Sequence, residues 1–168
     1  ASYGFELLNT GAIKMQRPLE NNSGKDMSAQ QYIGTSTGAT GLSLAASQPG
    51  WFATYTAWAP VHGTNNAGPY LHYGRFAVTP TVAGWDVGAG VQVWKGATKY
   101  SSTPVRASAD AYALDAQLQG SAADMPLGVY LSYANAKKSK ADKPDNLFND
   151  STTFDKKAWA LMAELGVI

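Results

Sequence analysis

SADAYALDAQLQGSAADMPLGVYLSYANAK, residues Ser108–Lys137, carries two runs of strict alternation separated by turn residues. In the first run Tyr112, Leu114, Ala116 and Leu118 alternate with Ala113, Asp115, Gln117 and Gln119. In the second, Leu127, Val129, Leu131 and Tyr133 alternate with Gly128, Tyr130, Ser132 and Ala134. A strand sends successive side chains to opposite faces, so each run has one greasy face and one polar or small face. Gly120 to Pro126 supplies Gly, Ser, Asp and Pro for a turn between them. The stretch reads as an antiparallel hairpin with arms of roughly ten residues, the length that crosses a bilayer at a tilt, whereas soluble strands run closer to five or six.

Other segments repeat the pattern. Tyr3 to Met15 alternates, with Tyr3, Phe5, Leu7, Ile13 and Met15 opposite Glu6, Thr10, Lys14 and Gln16. Gln30 to Ser47 is weaker, becoming greasy only at Leu42, Leu44 and Ala46. Trp51–Pro60, Tyr70–Thr79, Trp85–Val93 and Trp159–Val167 alternate again, which makes about eight strands in one domain over residues 1–168. Connections near 48–50, 80–84 and 120–126 are short. Those near 18–29, 62–69, 95–107 and 137–157 are longer and more polar. Short turns at one end and long loops at the other are the asymmetry of outer-membrane barrels. Aromatics gather near strand ends (Tyr3, Trp51, Trp58, Tyr70, Trp85, Trp94, Tyr112, Tyr133, Trp159), where interfacial girdles would lie. The fold expected is all-β, an antiparallel up-and-down transmembrane β-barrel, complete in this chain or part of a larger one.

Composition agrees with that class. Only 15% of the 168 residues are charged, there are nine Tyr and five Trp, and the net charge is +1. Soluble domains carry about a quarter charged residues, and a near-neutral chain gives no footing for nucleic acid. No run of about 18 apolar residues offers a membrane helix. Cysteine is absent, which removes disulfides, thiol catalysis, Cys-ligated metals and the Cys-x-x-Cys-His haem attachment.

The segments LHYGRFAVTPTVAGWDVGAGVQVWKG (71–96) and YALDAQLQGSAADMPLGVYLSYANA (112–136) resemble strand–turn–strand units of proteobacterial outer-membrane porins. They are similar also to the porin part of outer-membrane cytochrome–porin fusions. The resemblance implies passive passage of small hydrophilic solutes across the bacterial outer membrane or, in the fusion case, a sheath around an electron carrier whose haem part is not in this sequence. Such barrels commonly finish on Phe, whereas this chain stops at Gly166-Val167-Ile168, so a piece of a longer barrel is expected rather than a complete one.

With the greasy faces toward lipid, Glu6, Lys14, Arg75, Asp86, Asp115 and Glu164 point inward and are the candidate pore-lining residues. A wide barrel would hydrate them, and they would select solutes by charge. An eight-stranded barrel is just filled by its side chains, and the same residues would then be structural ion pairs. Expected partners are membrane lipids and small hydrophilic solutes, with room for a homo-oligomer. No catalytic residue, cofactor or metal is expected: His62 and His72 lack an evident nucleophile or acid, and Asp142, Asp145, Asp150 and Asp155 do not match the EF-hand spacing. Two rivals remain. One is a closed eight-stranded anchor or adhesin; the other is a soluble barrel with greasy faces inward around an apolar ligand.

Overall fold

The computed structural model describes residues 29–34, 39–60, 70–99, 106–140 and 145–166. Among these residues it is all-β apart from one helical turn, α1 (Ala29–Tyr32). Seven long strands form a single sheet: β1 (Ala39–Gln48), β2 (Trp51–Pro60), β3 (Leu71–Val78), β5 (Trp85–Lys99), β6 (Arg106–Ala122), β7 (Met125–Ala136) and β9 (Lys156–Leu165). Each pairs antiparallel with its predecessor in the chain, in the order β1-β2-β3-β5-β6-β7-β9. Two short pieces complete it. β4 (Thr81–Val82) folds onto the start of β5, and β8 (Asp145–Asn146) lies parallel to the start of β6.

Up-and-down connectivity puts the turns at Pro49–Gly50, Ala83–Gly84 and Ala123–Asp124 at one end, and the long connection 137–155 at the other. The quoted hairpin is longer than its alternation suggests, with arms of 17 and 12 residues. The reversal is confined to Ala123 (φ 50) and Asp124 (φ 64), the left-handed pair of a two-residue hairpin turn whose twist matches the strands. Gly120 and Pro126 are therefore strand residues. A Cβ on Gly120 would lie 2.5 Å from the Trp85 ring, so this glycine makes room for the indole. β5 likewise runs on to Lys99, shortening the polar loop expected from Lys95. Gln30 opens no strand: Ala29–Tyr32 is helical and the strand begins at Ala39. The strand expected over Tyr3–Met15 lies outside the described residues.

The sheet is not closed into a barrel among the described residues. β1 and β9 are its edges, and the register makes them run in the same direction, from the loop end to the turn end. Direct pairing between them would be parallel. An antiparallel closure needs one more strand of opposite direction, so an odd set of seven cannot close on itself.

The two faces differ sharply. One row across the sheet reads Ala46, Ala53, Phe76, Val91, Leu114, Tyr133, Trp159. The row one residue along reads Ala45, Thr54, Arg75, Gln92, Ala113, Ala134, Ala158 and points the other way. Leu42, Leu44, Phe76, Val78, Val91, Val93, Leu114, Leu118, Leu131, Leu161 and Leu165 are exposed, Leu42 by 72%, while Thr54, Thr56, Arg75, Gln92, Asp115, Gln117 and Ser132 are buried. From mid-sheet to the turn end, large apolar side chains are outside and polar ones inside.

Near the loop end the inner face is filled by aromatics and small residues. Trp58, Leu71, Tyr73, Trp94, Ala109, Ala111, Ala113, Ala134 and Ala136 form one cluster with Ala29 and Ile33 from the α1 segment and Phe148 from the long connection. Trp94 meets Tyr73 at 5.1 Å between centroids and Phe148 edge-on at 5.9 Å. Trp58 and Trp94 are thus core residues and not girdle residues, because their parity puts them with Thr56 and Gln92.

Candidate functional site

Reading the inner face from the loop end to the turn end gives three polar assemblies. The first holds the long connection in place. Asn146 Nδ2 donates to the carbonyls of Asp110 (2.9 Å) and Lys137 (2.6 Å). Its Oδ1 accepts from the amides of Asp110 (3.3 Å) and Phe148 (3.2 Å). Asn149 Nδ2 donates to the carbonyls of Ala136 and Phe154, and Lys137 Nζ meets Asp155 Oδ2 at 2.9 Å. The Lys137 ammonium and the Lys138 amide hold the Asp155 carboxyl below its ordinary range, and Asp155 in turn raises Lys137. The charge-rich connection reads as solvated from composition, yet its two asparagines replace missing backbone partners and carry Phe148 inward.

The second assembly lies at mid-sheet. Arg75 Nη2 donates to Asp115 Oδ1 at 3.1 Å with side-chain exposures of 0% and 1%. The two residues sit on β3 and β6, and the guanidinium spans β5 to make the contact. Gln92 on β5 links Asp115 to Tyr73: its Nε2 donates to Asp115 Oδ2 at 3.2 Å, and its Oε1 accepts from the Tyr73 hydroxyl at 3.1 Å. Glycines permit the approach. A Cβ on Gly90 would sit 2.6 Å from Asp115 Oδ1, and one on Gly88 2.6 Å from the Gln117 side chain. Arg75 Nε and Nη1 and Gln117 Oε1 have no hydrogen-bond partner among the described residues.

The third assembly is at the turn end. Asp86, Gln119, Gly128 and Glu164 fall in one row across β5, β6, β7 and β9. Gly128 leaves the space in which the Tyr130 hydroxyl meets Glu164 Oε1, and Gln119 Nε2 donates to that hydroxyl at 2.7 Å. Asp86, Gln119, Gly128 and Glu164, with Gly84, Ser121 and Leu127, border an open cleft of about 510 Å³. Asp86 also accepts from Thr81 Oγ1 at 2.8 Å. No Lys or Arg lines the cleft among the described residues.

The sequence candidates therefore separate into groups. Asp86 and Glu164 are exposed at the cleft, Arg75 and Asp115 form the buried pair, and Glu6 and Lys14 lie outside the described residues. Of the two histidines, His62 lies outside them too, and His72 is exposed on the outer face, its Nδ1 2.7 Å from the Tyr55 hydroxyl. Among the described residues no group of His, Asp and Glu could hold a metal ion. Sequence reasoning missed Gln92, Tyr73 and Tyr130 as members of these networks. The signals present in the sequence were glycines of inward parity: Gly88 and Gly90, which face Gln117 and Asp115, and Gly128, which faces the Tyr130 hydroxyl and Glu164. Neither a protein family, a curated protein nor a solved structure matches this chain significantly.

Proposed function

We propose that the chain forms wall of a bacterial outer-membrane β-barrel of porin type, which lets small hydrophilic solutes pass without chemical change. The observation that carries this reading is the inversion of the faces over most of the sheet: Leu42, Leu44, Phe76, Val91, Leu114, Leu131 and Leu161 exposed on one face, with Arg75, Gln92, Asp115 and Gln117 buried on the other. Water gives no reason to expose that many large apolar side chains on one continuous face; lipid does. The outer face also has plausible dimensions. From Val93 to Trp85 the apolar stretch is about 26 Å along β5 at the usual rise, which at a tilt of about 40° gives about 20 Å of membrane depth against a typical band of about 25 Å. Beyond Val93 the outer row carries Lys95 and Asp110, ion-paired and exposed, as suits the headgroup region. Unpaired strand edges are not tolerated in lipid, so this reading requires β1 and β9 to be completed by further strands.

On this reading Asp86 and Glu164 border water at the turn-end mouth and favour cations. The test is planar-bilayer conductance of the purified protein. The Asp86→Asn/Glu164→Gln variant should conduct with its reversal potential moved toward anions. A variant that conducts with unaltered selectivity would remove these residues from the path, and a protein that partitions into buffer instead of detergent would remove the membrane reading itself. A second reading, a plugged barrel acting as an anchor, draws on the complete burial of Arg75 and Asp115. It predicts membrane insertion with no conductance at all.

A further inference from the structure

The α1 segment does not belong to the wall. It lies on the inner face, packed against β7 and β9. The Ala29 amide donates to Ser132 Oγ at 3.1 Å, the Lys156 ammonium sits 5.3 Å from the centre of the Tyr32 ring, and Ile33 is fully buried in the aromatic cluster with Trp58, Trp94 and Phe148. Ala29 is equally enclosed, whereas Tyr32 is 52% exposed. The segment pairs with no strand of the sheet, so no ladder hydrogen bond requires it to be there. Among the described residues its attachment is of another kind: one amide-to-hydroxyl bond, one cation–π contact and the buried side chains of Ala29 and Ile33. At the opposite end the inner face opens into the cleft bordered by Asp86 and Glu164. Among the described residues the inner face is thus open at the turn end and covered at the loop end by the aromatic cluster and the α1 segment.

We propose that Ala29–Ile33 is a removable plug, seated on Ser132 and Lys156, whose release opens the interior toward the long connection. The proposal rests on the porin reading for its consequence and on the contacts above for its geometry. The wall has far more holding it than the plug has. Backbone pairing runs the length of every strand, and local opening begins where few contacts must be broken.

The chain has no cysteine, so single-cysteine variants report one position each. In protein reconstituted in vesicles, Ile33→Cys should react with a charged, membrane-impermeant maleimide about tenfold more slowly than Tyr32→Cys, because only the former is held against the cluster. Equal rates would overturn the plug whatever the conductance. In planar bilayers, Ile33→Asp should raise conductance severalfold over the unaltered protein by making the seat unfavourable to a charge. Ser132→Ala, which removes only the hydroxyl acceptor and leaves the cluster intact, should raise it to a smaller extent. Slow labelling together with conductance unchanged in both variants would overturn the gating role. If the unaltered protein conducts in that case, the porin reading stands without the plug; if none of the three proteins conducts, both fall.

Discussion

Replacing Asp115 with Asn removes a charge and almost no volume, and it should cost a large share of the stability. The carboxylate faces two donors, Arg75 Nη2 at 3.1 Å and Gln92 Nε2 at 3.2 Å. An amide can accept from one of them and must then turn its own N–H₂ toward the other. Flipping Gln92 to relieve that clash would turn its N–H₂ toward the Tyr73 hydroxyl, which must then accept where it now donates. Meanwhile the Arg75 guanidinium keeps its charge, with no exposed side-chain surface and two nitrogens already lacking partners among the described residues. At 3.1 Å the pair attraction is about 5 kcal/mol for an effective dielectric near 20 and about 1.3 kcal/mol in bulk water, so burial decides its worth. Breaking such a buried pair by removing one partner costs about 3–5 kcal/mol, against a total of about 5–15 kcal/mol for a typical domain. Removing both charges in Arg75→Met/Asp115→Leu should restore most of the loss, because desolvation of the pair consumes most of its attraction. Urea unfolding in detergent micelles, followed by near-ultraviolet circular dichroism, measures both variants against the unaltered protein. A loss below about 1 kcal/mol for Asp115→Asn would mean a hydrated pair, and would refute the reasoning from burial.

Other consequences follow from the same geometry. Gly90→Ala places a methyl 2.6 Å from Asp115 Oδ1 and should cost about 1–3 kcal/mol by displacing the carboxylate, which the same unfolding assay reads. Asn146→Ala deletes four hydrogen bonds to buried or half-buried backbone groups and should cost about 2–4 kcal/mol, with a change in tryptophan fluorescence as Phe148 loses its position beside Trp58 and Trp94. Acid should loosen the base of the long connection. The Asp155 carboxyl is lower in the folded protein than its ordinary 3.8, so its contribution is complete above that value and disappears as pH falls through the folded one. The protection factor of the Lys138 amide, which donates to Asp155 Oδ1 at 3.0 Å, should drop over that range in the unaltered protein and be low throughout in Asp155→Asn.

Alternation made the strands legible because a period of two leaves little choice once ten residues obey it. It also assigned faces: Leu114, Leu131 and Leu161 on one side, Arg75, Asp115 and Glu164 on the other. Parity would have placed Trp58 and Trp94 inside as well, had position near a strand end not been given more weight. Arg75 and Asp115 could be put on one face from sequence but not paired. Their strands are separated by β5, and the contact depends on a register and on two glycines that only the assembled sheet brings together. The α1 segment left no periodic trace, since AQQY is one turn long and tertiary contacts hold it. Phe148 was hidden by the charges around it, and Asn146 by the generic turn character of asparagine. The eighth strand counted in the sequence, Tyr3–Met15, lies outside the described residues, and the seven described strands form an open sheet whose two edges run the same way.

Whether the outer face meets acyl chains is tested most directly by a nitroxide scan along β7 and β9 in reconstituted protein. Single cysteines at positions 129–134 and 158–163 of this cysteine-free chain are spin-labelled, and each is assayed for collision with oxygen and with a water-soluble nickel complex. Labels at Leu131, Trp159 and Leu161 should collide strongly with oxygen and weakly with nickel, and labels at Ser132, Ala158 and Ala160 should show the reverse ratio or little collision with either. Nickel-accessible labels at Leu131 and Leu161 would mean that this face meets water, and would contradict the membrane assignment.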